Sequence, residues 1–446
     1  MRMNRRSTLW GMEIRWNTLV RVFAVYTATA TAGLAIMMPV SYGWYELPPY
    51  KVDLMIRSVP RAMESGAMVA VLAAALVIGI GSARAAWFAT ILGLLGILAN
   101  HAGLPWLDID SLTTFNFIDS LWAGVIIGSL APVVWTSRKA TSVYLFGVIS
   151  SAALGNIVQR PAAGGALSPI ERVLGDAPPV WLIALALALI ALGLLIRAIG
   201  FPVAAPDERV SLATVVSGGV VISSVAITSK WLSHSGAHPA VVVIAVLLVI
   251  AGGAISAFML PGRDGIPVLL LVAFAAAASA TVTVPRPWWA DALVVVAVGV
   301  GLAAARRRPL PPAAISLSFA MALVAMILAL VTTPGQVSSV LGVVSIGLVG
   351  GYSVAAALPA LATSMVVAIG ALFVPSAAVA LRGRLFGRVS YSPGWYRVAP
   401  APHDPVPAYA AMGIAMGCGG VIYLLYRLRS VAEKDGGGLA YPGNDQ

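Results

Sequence analysis

The sequence is poor in charge. Only 10% of its 446 residues are Asp, Glu, Lys or Arg, against roughly 25% in a soluble domain. So few solvated side chains cannot cover a surface facing water, which excludes a soluble enzyme and a soluble binding module. Cysteine is almost missing. Cys418 stands alone, so an internal disulfide framework and a multi-cysteine metal site are both excluded. Histidine is scarce too. His101, His234, His238 and His403 show no His-x-x-x-His spacing and no neighbouring His-plus-acid cluster, so no metal centre and no cofactor are expected. Most gaps between the apolar runs are short, which leaves no room for a separate soluble domain.

What is present is hydrocarbon. Hydrophobic residues make up 59% of the chain, and the mean hydropathy is +0.92. A helix needs about 20 apolar residues to cross the hydrocarbon core, and apolar runs of that order recur along the whole chain. Fourteen can be read, at 19–41, 65–82, 85–104, 117–136, 141–158, 179–199, 211–231, 239–260, 265–284, 290–305, 313–332, 336–356, 360–381 and 408–426. The class is an all-α polytopic membrane protein of 12 to 14 helices. Residues 1–18 form a basic cytoplasmic segment, 19–426 a single transmembrane domain, and 427–446 a Gly-rich polar tail expected to be disordered. The basic start followed by "TATATAGLAIMM" reads as an uncleaved first helix.

The net charge of +11 comes with no basic face or stacking motif, so nucleic acid is not an expected partner. Cytoplasmic loops collect Lys and Arg instead. With both termini inside, "TSRKATS" and "ARRRPLPP" are cytoplasmic while "PWLDIDSLTTF" is external. The exception is "LRGRLFGRVSYSPGWYRVAPAPHDPVP", which puts four arginines outside. A plasma (inner) membrane location follows, with lipid as the surrounding partner.

An ionisable group inside a bilayer is costly and is a functional candidate by default. Asp119, near the start of the fourth segment, is the foremost one, followed by Arg21 and Lys230. Each also has a bland reading, since long basic side chains snorkel and an acid near a helix N-terminus is favoured by the dipole. Small-residue groups such as "SGGVV", "AGGAISA" and "GLVGGYS" suit close helix packing.

From Asp119 to Gly165 the chain reads "DSLWAGVIIGSLAPVVWTSRKATSVYLFGVISSAALGNIVQRPAAGG". This stretch resembles the fourth and fifth helices of the major facilitator superfamily, and in particular its fourteen-helix drug:proton antiporters. There a helix ending in small residues and proline precedes a short basic loop, matched by Pro132, Arg138 and Lys139. The next helix closes on glycine-proline-x-x-glycine-glycine, matched by Pro161, Gly164 and Gly165 with Arg160 in place of the first glycine. The family's basic signature after the second helix is reduced to "GSARAAW", and Asp119 reverses the charge of the arginine expected early in the fourth.

The resemblance implies two six-helix bundles plus two extra helices, with a solute bound between the bundles. It makes Asp119, Asn156, Arg160 and Lys230 substrate or coupling candidates, and Pro161, Gly164 and Gly165 a conformational bend. The expected activity is secondary transport of a hydrophobic or amphipathic small molecule or lipid, with no catalytic residues. Two alternatives stay open. One is a non-catalytic, carrier-like membrane partner. The other is a polytopic glycosyltransferase using a lipid-linked sugar, with Asp53, Asp108 or Asp110 as base.

Overall fold

Proline and glycine punctuate the apolar runs. Pro239 and Pro311 open helices at their first turn, where the missing N–H costs nothing. Gly81 adopts a positive φ of 66° and ends a helix with its N–H on the Val77 carbonyl, 3.0 Å away. A residue with a Cβ would be strained at that tight turn.

A computed structural model describes residues 5–38, 49–103, 112–157, 178–196, 212–235, 238–281, 283, 286–331, 335–385 and 404–435. Among these residues the structure is all helix. The first half holds α1 (Arg5–Met37), α2 (Pro49–Ile80), α3 (Ala83–Gly103), α4 (Leu112–Val134), α5 (Arg138–Ile157), α6 (Val180–Leu195) and α7 (Leu212–Ser235). The second half holds α8 (Pro239–Met259), α9 (Ile266–Ala280), α10 (Ala290–Arg307), α11 (Pro311–Val331), α12 (Gln336–Ala356), α13 (Ala362–Phe373), α14 (Ala377–Leu385) and α15 (Val406–Asp435). Every expected segment is met by a helix. The segment at 360–381 is met by two, α13 and α14, and α15 runs on past residue 426 to Asp435. Ten spans among the described residues are long and apolar enough to cross a membrane, so the chain is an all-α polytopic membrane protein.

Helix pairing shows the plan. In the first six helices α1 packs on α4, α5 and α6, α2 on α4, and α3 on α4 and α6. The same pattern returns later, with α9 on α12, α13 and α15, α10 on α12, and α11 on α12 and α15. The second bundle is therefore α9 to α15, with α13 and α14 together filling one helix position. The extra pair is α7 and α8, which pack on each other and lie between the bundles in sequence. The bundles meet where α2 faces α13 and where α5 faces α10 and α12.

The repeat extends to single glycines. In the first bundle Gly66 of α2 and Gly124 and Gly128 of α4 face the partner helix so closely that a Cβ would overlap its backbone. In the second, Gly301 of α10 and Gly347 and Gly351 of α12 do the same. Both bundles are thus zipped by a Gly-x-x-x-Gly face meeting one reciprocal glycine, which lets backbones approach where lipid offers no hydrophobic drive. These contacts lie within each bundle, so here the small residues serve packing.

Burial sorts the helices by position. The span Ala362–Leu381 is 94% buried, whereas Pro311–Val331 is only 28% buried. α13 and α14 are therefore interior, and α11 presents Val324, Ile327 and Leu330 outward, as a lipid-facing helix does.

Candidate functional site

Two features could carry function: the space between the bundles and the buried polar groups near it. A cavity of about 70 Å³ lies between the bundles. The first bundle contributes Met37, Val59, Pro60, Met63, Ala152 and Ala153, and the second contributes Phe274, Ala278, Ser279, Ile346, Phe373 and Val379. Among the described residues no charged one lines it, and the lining is apolar apart from Ser279 and Ser376.

The cavity sits where α1, α5 and α9 end and α2 begins. At the opposite end the bundles are tied by hydrogen bonds. Trp135, just past α4, donates its Nε1–H to the Pro359 carbonyl, 3.2 Å away. Arg306 of α10 donates to the Arg138 carbonyl at 3.1 Å. Near these, Asp264 between α8 and α9 accepts the N–H groups of Ala360 and Leu361 at 2.8 and 2.9 Å, which caps the start of α13. Burial pushes the Asp264 carboxyl above its ordinary value, while the two N–H groups, Ser364 and the charge of Arg429 pull it back. Arg429 also donates to the carbonyls of Leu260 and Phe258 at 2.7 and 2.9 Å. This end carries Arg84, Arg138, Lys139, Arg263, Arg306, Arg307, Arg308 and Arg427. The structure is thus closed at its basic end, and its cavity lies toward the other.

Asp119 is 1% exposed and belongs to the third turn of α4, deeper than expected because the helix begins at Leu112. Its Oδ1 accepts the Asn100 amide at 2.7 Å, and its Oδ2 lies 2.9 Å from Nε2 of His101. Asn100 also donates to the Phe115 carbonyl at 3.1 Å. A His-plus-acid pair therefore exists, although no such cluster is visible along the sequence. Eighteen residues and a helix reversal separate its members, so local spacing could not show it. Asp119 is not among the residues lining the cavity. With Asn100 and His101 it ties the end of α3 to α4.

Lys230 is exposed on α7, and with Arg61 its charge acts on Glu64 of α2. Glu64 was missed because the second segment was read as starting at 65, while the span begins at Val59. Arg21 is partly buried on α1. Asn156 lies in the last turn of α5, but its side chain is outside the described residues. Arg160, Pro161, Gly164 and Gly165 fall outside them too, as do Asp108, Asp110 and the side chain of Asp53. Among the described residues no group of three His, Cys, Asp or Glu gathers to hold a metal.

No protein-family model matches the chain. No curated protein matches it either. Solved structures do. The structure described as tetrameric PepTSo2 is similar with a TM-score of 0.51 at 11% identity, covering 95% of this chain and 99% of that one. A bacterial homologue of the human drug peptide transporters PepT1 and PepT2 is similar with a TM-score of 0.51 at 12% identity, again covering 95% and 99%. At such identities the likeness is one of fold. That fold is of the major facilitator type, matching the paired bundles seen here.

Proposed function

We propose that the protein is a secondary carrier that moves a hydrophobic or amphipathic small molecule, or a lipid, by alternating access. The observation that carries this reading is a cavity shared by two like bundles that are hydrogen-bonded together at the opposite end, with no charged residue among the described residues of its lining. Rocking the bundles about such a cavity exposes it first to one side and then to the other. The fold of the two structural neighbours supports the reading, and the inserted α7–α8 pair suits a fourteen-helix branch. No catalytic step is assigned.

The clustering of Arg and Lys at the closed end supports a plasma-membrane orientation with both termini cytoplasmic. In this reading the solute meets the cavity wall, and Asp119 and His101 act through the α3–α4 contact. A lining with no charged side chain among the described residues favours an apolar or amphipathic cargo, since a bare ion would stay unpaired against it.

The test is a disulfide across the closed end, between cysteines placed at Lys139 and Arg307, in protein reconstituted into liposomes. Solutes from an amphiphile mixture that accumulate in the lumen are identified by mass spectrometry. Accumulation that stops on oxidation and returns on reduction supports a carrier. Accumulation equal to that of protein-free liposomes favours the non-catalytic membrane partner.

A further inference from the structure

Basic residues gather at the closed end, as topology alone requires. Topology does not require that two basic segments from opposite bundles be tied together. Arg138 and Lys139 open α5, and Arg306, Arg307 and Arg308 close α10. Arg306 donates to the Arg138 carbonyl at 3.1 Å. Tyr352 of α12 donates its hydroxyl to the Arg308 carbonyl at 2.9 Å. Five cations, all exposed, are thereby held at one seam between the bundles. Among the described residues none of the five makes an ion pair. Like charges gathered in this way repel one another until an anion joins them.

The helix faces beneath these charges are apolar and open. On α10, Val296, Val300 and Ala303 share one face with Arg307 by helical spacing, and all four are exposed. On α5, Val143 and Phe146 continue the face of Lys139 by the same spacing and are partly exposed. The two faces lie side by side, since a Cβ on Gly299 would meet the Phe146 ring at 3.6 Å. α5 runs away from the basic end and α10 runs toward it, so both faces carry their cations at the same end. A free phosphate ion would use the charges alone. A phospholipid uses the charges and the hydrocarbon below them together.

We propose that the α5–α10 seam at the basic end is a binding site for an anionic phospholipid. Its phosphodiester is held between Arg138 and Lys139 of the first bundle and Arg306, Arg307 and Arg308 of the second. Its acyl chains lie along the two apolar faces. Basic clusters of this size beside a membrane helix attract anionic headgroups, whereas a choline headgroup brings its own cation and is repelled. The site goes beyond the carrier reading, because binding here needs no alternation of the bundles.

The test uses the full chain in proteoliposomes and two photoreactive lipids, phosphatidylglycerol and phosphatidylcholine, with a diazirine at the same place high in one acyl chain. Labelled peptides are mapped by mass spectrometry, and labelling of the outward face of α11 serves as the internal reference. Phosphatidylglycerol is expected to label residues 139–146 and 296–307 at least about five-fold above phosphatidylcholine, and to keep doing so in excess inorganic phosphate. The triple variant Arg306→Gln, Arg307→Gln, Arg308→Gln is expected to lose that preference. Arg138→Gln with Lys139→Gln, which leaves the Arg306 hydrogen bond to the backbone in place, is expected to lower it too. Arg84→Gln, Arg263→Gln and Arg427→Gln together remove as much charge from other helices at the same end, and should leave it unchanged. Protection of the buried Cys418 thiol reports that each variant is folded. Equal labelling by the two lipids overturns the proposal, and so does an equal loss in both triple variants, which would mean attraction by net charge alone. Loss of labelling on adding inorganic phosphate would make the free anion the ligand and overturn the lipid assignment.

Discussion

Replacing Gly128 with alanine puts the paired-bundle architecture under direct strain. A Cβ there would overlap the Ala70 carbonyl oxygen of α2 and come within 2.9 Å of the Ala73 Cβ. An unstrained carbon–oxygen contact needs about 3.3 Å, so the neighbouring backbone must retreat by roughly 1 Å along the tightest seam of the first bundle. A gap of that size forfeits a quarter to a half of each contact's attraction, and overpacking a filled core costs about 1–3 kcal/mol. For a bundle of this size 1 kcal/mol is worth about 2–4 °C in Tm, so Gly128→Ala should melt roughly 2–12 °C lower. Gly351→Ala, whose Cβ would overlap the Val298 carbonyl oxygen of α10, should match it within a few degrees. Gly420→Ala, with nothing within 4 Å, is the control and should melt at or slightly above wild type. The chain supplies its own reporter, because Cys418 is fully buried and reacts with a thiol-specific fluorophore only on unfolding. Wild-type melting of Gly128→Ala, or an equal drop in Gly420→Ala, would refute the zipped-bundle account.

Other outcomes follow from the buried polar groups. Asp119→Ala strands the Asn100 amide and the His101 ring, and should destabilise the fold by about 3–5 kcal/mol, read by the same thiol assay. Asp119→Asn, which keeps a carbonyl acceptor, should cost less. The carboxyl of Asp264 is raised by burial, so its folded form binds a proton more tightly than the unfolded chain. Its contribution is full below the unfolded value of about 3.9 and is lost as pH rises through the folded value. Wild type should therefore lose stability relative to Asp264→Asn over that rise, and a relative gain in melting temperature would contradict the burial argument. Trp135→Phe removes one hydrogen bond across the closed end, a loss of about 0.5–1.5 kcal/mol. It should shift the population toward opening there, with little change in melting temperature.

Much of the fold was legible because crossing a bilayer imposes one demand, a long apolar helix, and the fourteen runs declare it residue by residue. What pairs with what was not legible. The α7 and α8 runs look like any others, and only packing sets those two apart from the second bundle. The break at Pro375 was hidden by continuous hydropathy through 360–381. The partners of Asp119 were hidden by distance along the chain. Asn100 and His101 end one helix and Asp119 lies inside the next, and only the turn between them brings the three together. The clue was available in principle, since α3 and α4 are antiparallel neighbours and all three residues lie toward the same end.

Paired spin labels test most directly whether the two bundles alternate as rigid bodies. One pair, at Lys139 and Arg307, spans the closed end, and the other, at Arg61 and Trp289, spans the cavity end. All four positions are exposed, and the buried Cys418 takes no label. Alternating access predicts two distance populations for each pair in liposomes, with the closed-end distance lengthening in the states where the cavity-end distance shortens. A single fixed distance at both ends, unchanged by pH gradient or added amphiphile, would contradict it.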